Sequence, residues 1–290
     1  MNVHAWGKKL RGQGYAVSTV STIVKVLTMM LADAVDERLI PVNPIVPRRR
    51  GRRRHQPRAE QLWATPEQVA AIAAQAIALV GPWAGVLIIT AAWTGARWGE
   101  LAGLQRHNLH LADGTVVIDP DIGALHEVNG RFELGPPKTA WSARTITLPP
   151  FLVPLLQAHL ANHDHAHVFV TTGRELLRRS NFGRRAMRPA TDGNLHISLP
   201  RVRVQPVVPG LRFHDLRHSH KTWLIADGIP EVGQARRLGH RIPDAIREIY
   251  SHVAPEVEAR LLAALERRWH DALADLRAQQ TLAPPLLRTA

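Results

Sequence analysis

Four short stretches hold the residues best suited to chemistry. In FHDLRHSH, Phe213–His220, His214 and Arg217 stand three apart, so on a helix both point to one side. An imidazole that exchanges protons beside a fixed positive charge suits attack at a phosphorus centre. The alternative for these histidines is a metal pair, His214 and His218 at i and i+4, which needs further ligands and lacks the acid of an HExxH motif. In TGARWGELAGL, Thr94–Leu104, Arg97 can turn its planar fork to a phosphate, with Glu100 three residues on to hold it. The plainer alternative there is a structural Arg–Glu pair. LGHRIPDAIREIYSHV, Leu238–Val253, supplies His240 just past Gly239, and ten residues later Tyr250, one of two tyrosines in the chain. PPKTAWSARTITLP places Lys138 between two strand-like segments. Taken singly, His240 is more often a cap, Tyr250 a core aromatic and Lys138 a solvated turn residue.

The elements that must position these residues are legible from hydrophobic period and turn signals. Ser18 to Ile40 reads as one amphipathic helix, with Ser18 as a cap and Pro41 as a stop. Gln68 to Ala96 has no charged residue, but Gly81-Pro82 divides it into halves too short for a spanning helix of roughly 18 residues. Two buried helices are expected there, the first capped by Thr65. Thr115–Ile118 and Ala143–Pro149 read as strands, and Asn129-Gly130 marks a hairpin in ALHEVNGRFEL. From Phe151 the chain returns to helices. The last, Pro255 to about Ala278, puts Val257, Leu261, Leu265, Trp269, Ala272 and Leu276 on one face. The fold class is therefore α+β, mainly α, with one small three-stranded antiparallel sheet.

Composition narrows the partner. Lys and Arg total 37 against 24 acids, a formal +13 in 290 residues. Such an excess points to a polyanion, nucleic acid before an anionic membrane. Seven of the arginines crowd into PRRRGRRRHQPR: Arg48, Arg49, Arg50, Arg52, Arg53, Arg54 and Arg58. That run is too charged to pack, so it reads as a linker able to lie along phosphates. Cysteine is absent, which excludes disulfides, thiol catalysis and Cys-based zinc sites and fits a cytoplasmic setting.

In order and content the four stretches resemble the catalytic domain of the tyrosine recombinases, the phage-integrase family. Arg97 matches the first arginine, Lys138 the hairpin lysine, His214 and Arg217 the H-x-x-R pair, His240 the LGH histidine and Tyr250 the nucleophile. The resemblance covers about Thr65 to Val253. It implies DNA strand cleavage through a covalent 3′-phosphotyrosyl intermediate, with the arginines and histidines neutralising the transition state, Lys138 protonating the leaving 5′-oxygen, and no metal, ATP or other cofactor. It implies double-stranded DNA as partner, a homotetramer on DNA, and exchange of a C-terminal helix for which Pro255–Ala278 is the candidate; packing on its own domain is the alternative.

Ser18–Pro44 resembles the end of the family's helical core-binding (SAM-like) domain, so the chain is expected to be N-terminally truncated. The division expected is 1–46 partial core-binding domain, 47–59 basic linker, 60–280 catalytic domain and 281–290 tail. The expected activity is that of a site-specific recombinase or integrase of a mobile element. A type IB topoisomerase, which shares the chemistry, and a DNA-binding remnant without recombination activity are the alternatives.

Overall fold

The computed structural model describes residues 3–45, 61–241 and 253–282; the Arg48–Arg58 cluster, Tyr250 and residues 283–290 lie outside the described residues. The chain divides into two compact units, Met1–Ala59 and Glu60–Ala290.

The first unit holds α1 (Val3–Gly12) and α2 (Val17–Asp36). Sequence periodicity finds α2 but misses α1, a short helix that borrows stability by packing Gly7 against Val20. The second helix also ends four residues earlier than Pro41 suggests, because Arg38 turns into the left-handed region at φ 61°. Among the described residues α2 is the one helix long and apolar enough to cross a membrane, at 20 residues and a mean hydropathy of 1.4. Its Val26, Met29 and Met30 are exposed.

The second unit is built on two helices, as the uncharged stretch predicts. Thr65 and Gln68 close a capping box at the start of α3 (Pro66–Val80), with Pro66 at its first position. Gly81 breaks the run at φ 113°, and α4 (Pro82–Thr94) follows, buried from Ala84 to Thr94. Having no polar face, α4 must be enclosed on all sides. The ring of Trp93 meets Phe151, Trp223 and Trp269 edge-on at 4.9–5.6 Å, and its Nε1 donates to the Leu265 carbonyl at 3.0 Å.

After α5 (Trp98–Ala102) come β1 (Leu109–His110), β2 (Thr115–Ile118), β3 (Ala124–Val128), β4 (Arg131–Gly135) and β5 (Arg144–Thr147). A three-stranded antiparallel sheet forms in the order β1-β2-β5, and buried Val116 opposes buried Ile146. The hairpin is not part of it. Strands β3 and β4 make a separate two-stranded sheet around Asn129-Gly130, whose φ values of 50° and 77° are those of a type I′ turn. That hairpin lies on α5, where Gly103 comes so close to the Leu125 backbone that a Cβ would sit 2.6 Å from its nitrogen.

Helix α6 (Leu152–Leu160) leads to a kinked segment: α7 (Arg179–Phe182), a π-helical turn at Gly183–Met187, and α8 (Arg188–Asp192). Then come α9 (Asp215–Ala226), α10 (Glu231–Leu238) and α11 (Pro255–Leu282). Leu261, Leu265 and Ala272 of α11 are buried in the core of their own domain, with Trp269 stacked on Phe151 at 4.4 Å.

Candidate active site

Arg97 is placed by the turn that ends α4. Gly95 takes φ 67°, a conformation that carries a penalty for any residue with a Cβ. The chain then reverses and α5 starts at Trp98 with Arg97 as its cap. Glu100 sits beneath, 2% exposed. One of its oxygens accepts from Arg97 Nη1 at 2.7 Å and Arg144 Nη1 at 3.2 Å. The other accepts from the Arg97 amide at 2.9 Å and Arg144 Nη2 at 3.0 Å. Burial opposes ionisation of Glu100, but Arg144 and Arg97 outweigh it and hold the carboxyl below the usual glutamate range. The expected support of Arg97 by Glu100 is thus present, and the structure adds Arg144 to it. Ser142 Oγ accepts from Arg97 Nη1 at 2.9 Å and pairs with Thr139 Oγ1 at 2.9 Å.

A second group forms around Arg217, in the first turn of α9. Its Nη1 donates to the Gly95 carbonyl at 2.6 Å, and its Nη2 donates to the Leu238 carbonyl and to His240 Nε2 at 2.8 Å. Burial, then the neighbouring guanidiniums of Arg97 and Arg144, lower its pKa to about 9, so it remains charged at neutral pH. His240 is held neutral, its pKa lowered to about 4 by burial and by Arg217 and Arg97. Since Nε2 accepts from Arg217, Nδ1 carries the proton. The two groups are joined through Gly239, whose carbonyl accepts from Arg97 Nη2 at 3.3 Å.

Arg97, Lys138 and His214 line one open cleft of about 1470 Å³. Lys138 is exposed in the connection between β4 and β5 rather than at the hairpin tip. His214 is exposed at the cap of α9, its pKa lowered by partial burial and by His218 and Arg217, so at neutral pH it can accept a proton. Its ring meets that of His218 edge-on at 5.2 Å, and no cluster of three or more metal-ligating side chains occurs among the described residues. Arg97, Arg217 and His240 are therefore brought together, Lys138 and His214 share a cleft with Arg97, and Tyr250 is outside the described residues.

Sequence reasoning missed several neighbours. Arg144 belongs to the quoted ARTITLP strand but gives no signal of its own. Arg179, Arg184, Arg188 and Arg212 line the same cleft as Arg97; for the first three the basic run RRSNFGRRAMR was the available signal. His220 and Arg237 are buried beside Arg217 and His240 and look like ordinary helix residues in sequence.

Comparison with known proteins agrees with this architecture. The phage integrase family model matches residues 59–256. The putative prophage phiRv2 integrase of Mycobacterium tuberculosis H37Rv is 30% identical over 182 residues, covering 62% of this chain and 45% of that protein. The integrase of Mycobacterium phage L5 is 29% identical over 225 residues, covering 75% of this chain and 54% of that one. The chain spans about half the length of these curated relatives. Among solved structures, the Tn1549 transposon integrase in complex with a circular intermediate DNA aligns with a TM-score of 0.64 at 17% identity, over 92% of this chain and 84% of that one, which shows the fold. With a family match over more than half its length and the arginine pair, histidines and hairpin arranged as above, the chain belongs to the phage integrase family of tyrosine recombinases.

Proposed function

We propose that this chain carries the catalytic part of a site-specific DNA recombinase of a mobile element, acting on double-stranded DNA in the cytoplasm and cutting by covalent attachment. The observation that carries the reading is the convergence of Arg97 and Arg217, one held by a buried carboxylate and the other by two carbonyls, with neutral His240 hydrogen-bonded to Arg217. In this reading the scissile phosphate displaces part of that network and takes both guanidinium forks. The charge developing on its non-bridging oxygens then meets donors already in place.

Tyr250 is the attacking group. A phenol has an ordinary pKa of about 10, so neutral His214 serves as the base that removes its proton as the oxygen approaches phosphorus. The Tyr250 oxygen–phosphorus bond forms as the bond to the 5′-oxygen breaks, and Lys138, on the cleft wall, gives that oxygen its proton. The phosphotyrosyl bond keeps the energy needed to rejoin a strand. Arg48, Arg49, Arg50, Arg52, Arg53, Arg54 and Arg58 are assigned to phosphates of the flanking duplex. Four copies on two duplexes are the working assembly.

The decisive experiment is incubation with nicked suicide DNA carrying the element's junction sequence. A denaturation-resistant protein–DNA adduct is expected with wild type and none with Tyr250→Phe. No adduct on any junction DNA overturns the reading, and equal adduct on random DNA replaces it with a topoisomerase.

A further inference from the structure

His220 and Arg237 have no part in the chemistry above, yet they are 0% and 4% exposed. A guanidinium so deeply buried is expensive unless every edge is satisfied. Arg237 Nε donates to His220 Nε2 at 3.0 Å, Nη2 to the Trp93 carbonyl at 2.9 Å, and Nη1 to the Thr147 carbonyl at 3.0 Å. Its Nη1 also lies 3.7 Å from Glu258 Oε1, and the Thr147 hydroxyl donates to that same carboxylate oxygen. His220 Nδ1 donates to the Ala92 carbonyl at 2.8 Å. A carbonyl can only accept, so the proton is on Nδ1 and Nε2 is the acceptor Arg237 requires. One side chain of α10 thereby binds α4, β5, α9 and α11.

What it binds together is more telling than how tightly. Arg237 is followed by Leu238 and Gly239, whose carbonyls receive Arg217 and Arg97, and then by His240. Its own carbonyl takes Arg144 Nε at 2.7 Å. Trp93, which it also holds, stands two residues before Gly95, the other carbonyl partner of Arg217. Glu258 is in the first turn of α11, which starts five residues beyond Tyr250. Leu238–His240 leads into the stretch that carries Tyr250, and Glu258 stands where the chain has left it.

We infer that Arg237, bridged by Thr147 to Glu258, is a positioning clamp that fixes both stems of the Tyr250 stretch to the floor beneath the arginine pair. Strand cleavage depends on it and DNA affinity does not. A buried apolar residue would fill the same space but could not join four carbonyl, imidazole and carboxylate partners on four elements. The inference rests on the reading of Tyr250 as nucleophile.

The test uses Thr147→Val, Thr147→Ser and Glu258→Gln, since replacing Arg237 itself leaves several buried acceptors unpaired and risks the fold. Valine keeps the shape and favours a strand, and Glu258 is 33% exposed. Single-turnover cleavage of suicide DNA is followed against protein concentration, with a thermal melt of each protein. Thr147→Val and Glu258→Gln are expected to keep wild-type half-saturation and to lose about tenfold in the saturating rate, the worth of one charge-assisted hydrogen bond. Thr147→Ser restores the rate to within about twofold, because its hydroxyl reaches the same carboxylate. Wild-type saturating rates in Thr147→Val and Glu258→Gln overturn the clamp. So does a serine variant as slow as the valine one, or a rate loss matched by weaker DNA binding or by a lost folded fraction. A wild type that forms no adduct instead removes the recombinase reading and the clamp with it.

Discussion

Glu100→Gln tests whether one buried carboxylate holds the arginine floor. The carboxylate accepts four N–H groups at 2.7–3.2 Å, two on each oxygen. Glutamine keeps one oxygen and turns an NH2 toward two donors whichever way the amide is flipped. It also removes the counter-charge of Arg144, 7% exposed, and of Arg97, 20% exposed. Removing one partner of a buried ion pair is expected to destabilise by about 3–5 kcal/mol, and water reaching Arg97 favours the lower end, about 3. For a domain of this size each kcal/mol moves Tm by about 2–4 °C, so a fall of about 6–12 °C is expected. The assay is a thermal or urea melt of both proteins at several pH values. Because the folded pKa of Glu100 is depressed, its stabilisation is complete above the ordinary glutamate range and is lost progressively below that range, as pH falls through the lower folded pKa. The gap between wild type and Glu100→Gln should therefore narrow toward acid pH. A Tm change under about 2 °C, or a gap that stays constant with pH, refutes the reasoning.

Two further outcomes follow from the structure. Gly95→Ala forces a Cβ to 2.6 Å from Leu238 and 2.8 Å from His220 at φ 67°; left-handed strain and overpacking together predict a loss of about 2–5 kcal/mol, measurable as a lower urea midpoint. His159, His163, His167, His214, His220 and His240 all have lowered pKa values in the folded protein. Unfolding below the ordinary histidine pKa therefore takes up protons, so stability is full above about pH 6.5 and falls progressively below it. Calorimetry in buffers of different ionisation enthalpy should register that uptake near pH 5.5, and unfolding there without it would contradict the assignment.

Some of this molecule is written in local sequence. The uncharged run broken at Gly81-Pro82 can only be two enclosed helices, and both are there. Asn129-Gly130 demands left-handed φ values at two successive residues, which is a hairpin turn wherever it occurs. The apolar stripe from Val257 to Ala272 had to face a core, and Leu261 and Leu265 are buried in one. Arg97, Lys138, His214, Arg217, His240 and Tyr250 could be named as candidates from type, order and resemblance, because the chemistry limits which side chains can serve. The two-sheet arrangement could not, since strand pairing joins residues whose local patterns are alike. Nor could Arg144, His220 and Arg237. Their partners lie 44, 128 and 144 residues away in the chain, and a buried cation is recognised by what surrounds it, which exists only once the helices have packed.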